Sequence, residues 1–226
     1  MCGIVGYIGS RDATPIIYNG LKRLEYRGYD SAGIAVLQHE QIEVRREAGK
    51  LSALGELLQK SPIAGHLGIG HTRWATHGAP SARNAHPHLG QTGRVVVVQN
   101  GIVENFLELR EELSAEGVEF KSDTDTETIV HLVEHYLATG LDLVEAARKT
   151  FQHLKGANVV VLLSADEPDK IVAARIGNAG GVVIGYGEDE MFVASDVPAI
   201  LEHTRRVFFL ESRQMVIVNR DGARVE

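Results

Sequence analysis

The sequence predicts an α+β fold in which β-sheets pack together and are covered by helices. Strand-like and helix-like stretches alternate along the 226 residues without long polar gaps. The last third of the chain contains a series of segments rich in β-branched residues, separated by Gly, Asp and Pro turn signals. Many strands with helices grouped between them bury their apolar faces when sheets stack beneath helices.

The first part of the chain predicts strands and helices in turn. Residues 4–8 are apolar and end at Gly9, which is typical of a short buried strand. Residues 12–26 predict a helix, because Pro15 stands in the first turn and apolar side chains recur at helical spacing. A β-hairpin is predicted at 34–37 and 42–46, a helix at 51–59, and strands at 67–72 and 94–99.

The clearest helical patterns lie in the middle of the chain. Residues 105–116 and 126–138 have helical periodicity, and a glycine follows shortly after each. Beyond a third helix at 141–154, strands are predicted at 159–163, 171–174, 181–184, 191–194, 207–210 and 215–218. The turn signal at 219–222 follows with no closing helix, so we expect a single domain over 1–226 with a domain boundary at its end.

Composition excludes several functional classes. Hydrophobic residues make up 44% of the sequence and charged residues 23%, as in ordinary globular proteins. The net charge is −7 and no run of Lys and Arg concentrates positive charge, so no nucleic-acid partner is expected. No apolar stretch approaches the ~20 residues of a membrane span. The first residues lack a signal-peptide pattern, and we expect a cytoplasmic protein without a membrane partner.

The single cysteine is Cys2. A lone cysteine often only fills apolar space. If Met1 is removed, however, Cys2 carries a thiol and a free α-amine on one residue. The thiolate is a strong nucleophile, and the α-amine titrates close enough to neutrality to act as its general base. Position 2 therefore makes Cys2 a candidate N-terminal nucleophile.

Two further segments carry candidate binding groups. Asn100 and Gly101 follow a predicted strand; the pair could form a tight turn, or present a side-chain amide and a backbone N–H to one oxyanion. Residues 71–78 (HTRWATHG) also follow a strand. Arg73 offers a planar fork suited to a carboxylate, whereas the alternative is a polar loop with Trp74 as a core anchor.

A polar segment and a group of histidines have simpler alternatives. Residues 122–127 (SDTDTE) contain good helix-opening residues, although one carboxylate could bind a substrate ammonium. Five histidines fall between positions 66 and 88. Their spacing fits no standard zinc pattern, so no metal site is predicted.

Together these motifs resemble class II glutamine amidotransferases, which are N-terminal-nucleophile (Ntn) hydrolases. The matching segments occur in order along nearly the whole chain: CGIVG at 2–6, RGYDSAG at 27–33, HTRWATHG at 71–78, NAHP at 84–87, NG at 100–101 and TDTE at 124–127. Within this class, residues 24–33 and 71–78 look like the glutamine–fructose-6-phosphate aminotransferase branch. The amidophosphoribosyltransferase branch resembles them less closely.

The resemblance implies a four-layer αββα sandwich of the Ntn-hydrolase type and a set of catalytic residues. Cys2 would be the nucleophile and its own α-amine the base. Asn100 and Gly101 would form the oxyanion hole, and the Gly101 carbonyl would also face the substrate ammonium. Arg27 would lie near the nucleophile and help to position the N-terminus.

The resemblance also implies how the substrate is held. Arg73 would bind the α-carboxylate of glutamine, with Thr76 and His77 beside it in a loop that closes over the substrate. Asp125 would hold the α-ammonium, and Trp74 would gate the path of ammonia. Two charged anchors would explain a preference for free glutamine over a peptide-bound residue.

The implied reaction is hydrolysis of glutamine to glutamate and ammonia through a thioester, without a metal or organic cofactor. In the full-length enzymes of the branch, sugar-phosphate isomerase domains use this ammonia to make glucosamine 6-phosphate from fructose 6-phosphate. No such domains follow in this sequence. Two other departures from the family pattern are the presence of Met1 and Gln99, where histidine is more usual. The alternatives are another class II amidotransferase, an amidohydrolase for larger amides, and a non-catalytic regulatory module.

Overall fold

The computed structural model describes residues 2–226, so the prediction that Met1 is removed concerns a residue outside them. The strands are β1 Gly3–Ile8, β2 Ser31–Gln38, β3 Gln41–Ala48, β4 Leu67–Arg73, β5 His88–Leu89, β6 Val95–Gly101, β7 Asn158–Ser164, β8 Lys170–Ile176, β9 Val183–Tyr186, β10 Met191–Ala194, β11 Val207–Phe209, β12 Gln214–Asn219 and β13 Gly222–Val225. The helices are α1 Ala13–Arg23, α2 Leu51–Lys60, α3 Phe106–Ala115, α4 Thr126–Ala138 and α5 Leu143–His153, with 3-10 turns at Glu25–Arg27 and Val197–Ala199.

The strands form two antiparallel sheets. The first has seven strands in the order β11-β9-β10-β1-β4-β2-β3, and the second has six in the order β13-β12-β8-β7-β6-β5. Strand β1 is central in the first sheet, where Val5 is opposite Ala194 of β10 on one side and Gly70 of β4 on the other. Each sheet therefore combines strands from distant parts of the chain.

Alternating side chains divide the interior into three apolar layers. Ile4 and Ile8 of β1 and Val96 and Val98 of β6 belong to the core between the two sheets. The intervening residues of β1 pack against α1 and α2, and those of β6 pack against α3, α4 and α5. Because successive strand residues point to opposite faces, a strand buried on both faces is apolar throughout.

The order of layers is therefore helices, sheet, sheet, helices. The four-layer αββα sandwich implied by the resemblance is confirmed, as is the α+β class. Across residues 2–226, no helix is both long and apolar enough to cross a membrane.

The predicted elements differ from the structure mainly at their ends. Helix α1 ends at Arg23 rather than at 26, because the chain tightens into a 3-10 turn and then passes Gly28 in extended conformation. A Cβ atom at position 28 would lie 2.7 Å from the backbone carbon of Arg73, so the chain here runs close against β4. The strand predicted at 181–184 begins at Val183, and strands β5 and β13 were not predicted.

Candidate active site

The side-chain alternation that builds the central core also builds the site. Cys2 is two residues before Ile4, His71 and Arg73 continue the alternation of Ile69 on β4, and Asn100 continues that of Val98 on β6. These four polar or reactive residues therefore extend the layer between the sheets at one end of the sandwich. The two sheets contribute opposite walls of a single site.

A cavity of about 250 Å³ lies at this end. It is lined by Cys2, Arg73, Trp74, Thr76, His86, Gln99, Asn100, Gly101, Ile102, Asp125, Thr126 and Ala179. Seven of the nine predicted site residues are in this lining, and the other two lie next to lining residues, Arg27 at Cys2 and His77 at Asp125. The structure thus brings all nine positions to one place.

Cys2 is held through both its thiol and its carbonyl group. The Trp74 backbone N–H donates to Cys2 Sγ at 3.2 Å. The Cys2 carbonyl oxygen accepts hydrogen bonds from Arg27 Nε at 3.0 Å and from Asn100 Nδ2 at 3.1 Å. Burial raises the pKa of the Cys2 thiol, against the opposing effects of the Trp74 N–H and the Arg73 charge. A thiol in this setting needs a base to ionise it.

Arg27 is the link between Cys2 and a carboxylate that the sequence did not indicate. Arg27 Nη1 forms an ion pair with Asp196 Oδ2 at 2.9 Å, and the Tyr26 hydroxyl donates to the same oxygen at 3.0 Å. Asp196 follows strand β10, which pairs with β1. Arg27 therefore lies next to Cys2 and holds its backbone carbonyl group in place.

Arg73 is buried, with only 3% of its surface exposed, at the end of β4. Its Nη2 donates to the carbonyl oxygens of His77 and Gly78. Its Nη1 is buried without a hydrogen-bond partner among residues 2–226, and the nearest carboxylate oxygen, Asp30 Oδ1, is 4.0 Å away. Burial lowers the pKa of Arg73, and the Asp30 charge opposes this effect. Arg73 therefore lines the cavity and has one guanidinium nitrogen, Nη1, that forms no hydrogen bond among the described residues.

Asp125 places a carboxylate in the same cavity, directly before α4. Its Oδ2 accepts the Val103 backbone N–H at 2.8 Å, and its Oδ1 lies 3.8 Å from His77 Nδ1. Burial raises the pKa of Asp125, opposed by the Val103 N–H and by His77. The alternative interpretation was that this polar segment only opens a helix. Asp125 does directly precede α4, but its side chain makes no capping hydrogen bond to that helix.

Asn100 and Gly101 do not form the tight turn that was the alternative interpretation. Both are still part of β6, opposite Val159 and Asn158 of β7. Gly101 has a φ of +117°, and a Cβ atom there would lie 2.1 Å from the Ala157 carbonyl oxygen. Only glycine fits this backbone, and it ends the strand with Asn100 facing Cys2.

Trp74 is also not the core anchor that was the other alternative. Its side chain is 49% exposed at the mouth of the cavity, and its ring packs edge-on against Tyr29 at a centroid distance of 5.5 Å. Thr76, two residues along the same loop, is exposed and also lines the cavity. The loop after β4 therefore forms one side of the entrance.

Comparison with known proteins identifies the family of this chain. Residues 71–202, more than half of the chain, match the glutamine amidotransferase domain family. This chain belongs to that family. The glutamine amidotransferase domain is 52% identical over its full length to glutamine–fructose-6-phosphate aminotransferase [isomerizing] from Thermus thermophilus, of which it covers 36%. It is 51% identical over 98% of its length to the enzyme of that name from Thermococcus kodakarensis, again covering 36%. The amidotransferase domain thus spans about a third of the length of these relatives.

Solved structures contain the same fold. The glutamine phosphoribosylpyrophosphate amidotransferase from B. subtilis, complexed with ADP and GMP, superposes with a TM-score of 0.85 at 26% identity; all of this chain is covered, and 49% of the other. A glutamine aminotransferase class-II domain protein from Silicibacter pomeroyi, 16% identical, gives a TM-score of 0.69 over all of this chain and 98% of the other, which supports the fold alone. The class II amidotransferase fold is therefore common to this domain and these proteins.

Sequence reasoning missed part of the amidotransferase cavity. The additional lining residues are His86, Gln99, Ile102, Thr126 and Ala179. Gln99 donates from Nε2 to Asn158 Oδ1 at 2.7 Å and accepts from the Thr126 hydroxyl at 2.8 Å. The sequence marked Gln99 only as a departure from the usual histidine beside Asn100, whereas Ala179 lies in a stretch without any distinctive motif.

Three of the five histidines for which no metal site was predicted, His71, His86 and His88, pack together next to the amidotransferase cavity. The rings of His71 and His86 stack at 4.2 Å, and His88 meets His86 edge-on at 4.8 Å. Burial lowers the pKa values of His71 and His88 to about 3. Within the part of the chain that the structure describes, no group of three or more His, Cys, Asp or Glu side chains is arranged to hold a metal ion.

Proposed function

We propose that this domain hydrolyses the side-chain amide of glutamine to glutamate and ammonia through a thioester on Cys2. The observation that carries the proposal is the composition of one cavity, in which Cys2 lies together with a buried cation, Arg73, and a buried carboxylate, Asp125. A free amino acid has both charges that this pair would complement. A peptide-bound glutamine has neither at its α-carbon.

The buried charges support recognition of an α-amino acid. Arg73 Nη1 has no hydrogen-bond partner among the described residues, and an unpaired buried donor costs about 1–3 kcal/mol or more when charged. A substrate carboxylate would satisfy it. The Asp125 carboxylate accepts a hydrogen bond from the Val103 backbone N–H. Burial raises the pKa of Asp125, and a substrate ammonium group would oppose this effect because it favours the ionised carboxylate.

The reaction divides into two steps. In the first, the α-amine of a Met1-free Cys2 takes the thiol proton, and the thiolate attacks the amide carbon. Asn100 and Gly101 hold the resulting oxyanion. The oxyanion then collapses and expels ammonia, which leaves with the proton that the α-amine had taken. In the second, water attacks the thioester and releases glutamate and the Cys2 thiol. The Cys2 α-amine is the base in both steps, and Arg27 holds the Cys2 carbonyl oxygen in place.

We propose further that the domain serves a larger cytoplasmic enzyme in which sugar-phosphate isomerase domains use its ammonia to convert fructose 6-phosphate into glucosamine 6-phosphate. The aminotransferases that support this are about half identical to the chain over nearly its whole length. The amidophosphoribosyltransferase alternative rests on a structure that is 26% identical. Exposed Tyr26, Tyr29 and Trp74 near the cavity mouth offer a surface for such a domain.

The decisive experiment measures glutamate and ammonia released from free glutamine, with the intact mass recorded on the same sample. Met1-free protein should release both products in equal amounts, and Cys2→Ala should release neither. A folded, Met1-free chain that releases no glutamate contradicts the proposal and favours a non-catalytic regulatory module.

The substrate class is tested by blocking one charge of glutamine at a time. N-acetylglutamine lacks the α-ammonium group that Asp125 would bind. Glutamine whose α-carboxylate is converted to an amide lacks the charge that Arg73 would bind. Both should have a much lower kcat/KM than glutamine. Equal turnover of glutamine and a blocked derivative would instead support an amidohydrolase that acts on larger amides.

A further inference from the structure

We propose that His71 is a positioning residue that fixes the orientation of the Asn100 side-chain amide and thereby sets up the oxyanion hole. This inference rests on the proposed function, in which Asn100 donates to the oxyanion. His71 lies on β4 of one sheet and Asn100 on β6 of the other, so the contact joins the two walls of the site.

The contact determines where the His71 proton lies. His71 is fully buried, and its Nε2 is 3.0 Å from both the Gln99 carbonyl oxygen and Asn100 Oδ1. The Gln99 oxygen can only accept a hydrogen bond, so Nε2 must carry the proton. The same N–H then faces Asn100, where it requires the amide oxygen rather than the amide nitrogen.

The partner on the other side of Asn100 requires the same orientation. Asn100 Nδ2 is 3.1 Å from the Cys2 carbonyl oxygen, which is also only an acceptor. The oxygen and nitrogen of an amide are nearly equal in size, so packing alone cannot distinguish the two orientations. A flipped amide would place two donors together at His71 and two oxygens together at Cys2. The hydrogen bonds alone therefore select one orientation.

His71 is suited to this task because it stays neutral and has a fixed plane. Burial, with a smaller contribution from the nearby Arg73 charge, lowers its pKa to about 3. Its Nδ1 is buried without a hydrogen-bond partner in residues 2–226, so the opposite tautomer has nothing to donate to. Stacking on the His86 ring, at 4.2 Å, holds the plane of the imidazole.

The consequence for catalysis concerns the second hydrogen of Asn100 Nδ2. One hydrogen is used by the Cys2 carbonyl oxygen, and Asn100 lines the cavity beside the Cys2 thiol. With the amide fixed, the second hydrogen is available to the oxyanion. With a flipped amide, an oxygen would face the developing negative charge and repel it.

The kinetic test compares variants of two buried histidines. His71→Phe removes the donor and keeps a planar ring, while His71→Gln keeps an amide donor. We expect His71→Phe to lower kcat about 10- to 100-fold with little change in KM, because losing an oxyanion donor costs about 10²–10³ in rate. His71→Gln should recover part of the loss. His88→Phe is the matched control, since His88 is equally buried but bonds Thr124 rather than Asn100.

A second readout separates positioning from damage to the fold. Alkylation of Cys2 by iodoacetamide uses the same thiol but forms no oxyanion, so its rate should be the same in His71→Phe as in the wild type. A parallel loss of alkylation and turnover would mean that His71 is merely structural. An unchanged kcat in His71→Phe would overturn the proposal, whereas an inactive wild-type chain would contradict the proposed function first.

A third measurement does not depend on activity. Nitrogen-15 NMR of histidine-labelled protein distinguishes a protonated Nε2 from a protonated Nδ1. We expect the His71 resonances to show a neutral ring protonated at Nε2 at neutral pH. A ring protonated at Nδ1 would reverse the hydrogen bond to Asn100 and overturn the inference even if glutaminase activity is present.

Discussion

Under the proposed function, the selectivity of the site would depend on the charges of two single residues, Asp125 and Arg73. Replacing Asp125 with Asn keeps an acceptor for the Val103 N–H but removes the charge that would face a substrate ammonium. We expect Asp125→Asn to raise the KM for glutamine about 10- to 100-fold, since a hydrogen bond to a charged group contributes about 1.5–3 kcal/mol. Steady-state kinetics measure this change. Asp123→Asn is the control, because Asp123 is exposed and pairs with Arg83 at 3.1 Å.

The same carboxylate predicts a pH dependence. Burial raises the pKa of Asp125, so it becomes protonated at a higher pH than an exposed carboxyl group. The KM for glutamine should therefore increase as the pH falls through that pKa, because a neutral Asp125 no longer pairs with an ammonium group. Asp125→Asn should lack this increase. A wild-type KM that stays constant down to the pKa of an ordinary carboxyl group would contradict the assignment.

The residues of the site could be proposed from sequence only through their resemblance to a family. Composition and spacing identified Cys2 and the motifs, but left a tight turn at Asn100 and a core role for Trp74 as alternatives. The contacts that decide between them come from distant segments. Asp196, for example, meets Arg27 only because β10 pairs with β1, and no local pattern reports such a pairing.

At the scale of the element, the end of β6 depends on glycine. Gly101→Ala forces a Cβ onto a backbone with φ of +117° and to within 2.1 Å of the Ala157 carbonyl oxygen. Gly140 has a φ of +90° and open space around its Cα, so Gly140→Ala tests backbone strain alone. We expect Gly101→Ala to reduce the free energy of unfolding by about 2 kcal/mol more than Gly140→Ala. Urea titration of both variants measures the difference, and equal losses would exclude the steric clash.

The start of α4 is held by a buried charge cluster. Glu127 accepts hydrogen bonds from the Lys121 and Ser122 backbone N–H groups and from the Ser122 hydroxyl, and His131 Nε2 lies 3.4 Å away. Burial raises the pKa of Glu127, but these partners outweigh burial and lower the pKa to about 2. The segment before α4, which contains Asp125, is therefore attached to the helix through Glu127.

This cluster predicts a loss of stability in acid. A carboxyl group whose pKa is lowered by folding stabilises the protein above its ordinary pKa, and this contribution disappears as the pH falls toward the folded value. The free energy of unfolding should therefore decrease between about pH 4.5 and pH 2. Glu127→Gln should be less stable than the wild type at neutral pH, and its free energy of unfolding should decrease less as the pH falls. Glu111→Gln, at an exposed position of α3, should reproduce the wild-type profile.

The elements themselves could largely be predicted from sequence, but not their arrangement. Runs of β-branched residues identified most strands because those strands are buried on both faces. Strand β5 has only two residues, too few for any periodicity, and β13 has only four, two of which are exposed. The order of strands in a sheet depends on pairing between distant segments, such as Val5 with Ala194, which local patterns do not encode.

At the scale of the whole molecule, the sheets join the beginning and the end of the chain. The first sheet combines β1–β4 with β9–β11, and the second combines β5–β8 with β12 and β13. Neither sheet can be complete before the last third of the chain is in place. We expect one cooperative unfolding transition in urea, with coincident far-UV and near-UV circular dichroism curves. Separated curves would show that one sheet survives without the other.

The position of Trp74 gives this molecule a built-in optical reporter. It is the single tryptophan of the sequence, it is half exposed, and its backbone N–H contacts the Cys2 thiol. All tryptophan emission from the chain therefore originates at the mouth of one cavity. Occupancy of that cavity can be followed in unlabelled protein by titration in a fluorimeter, and even in a Cys2→Ala variant that turns nothing over.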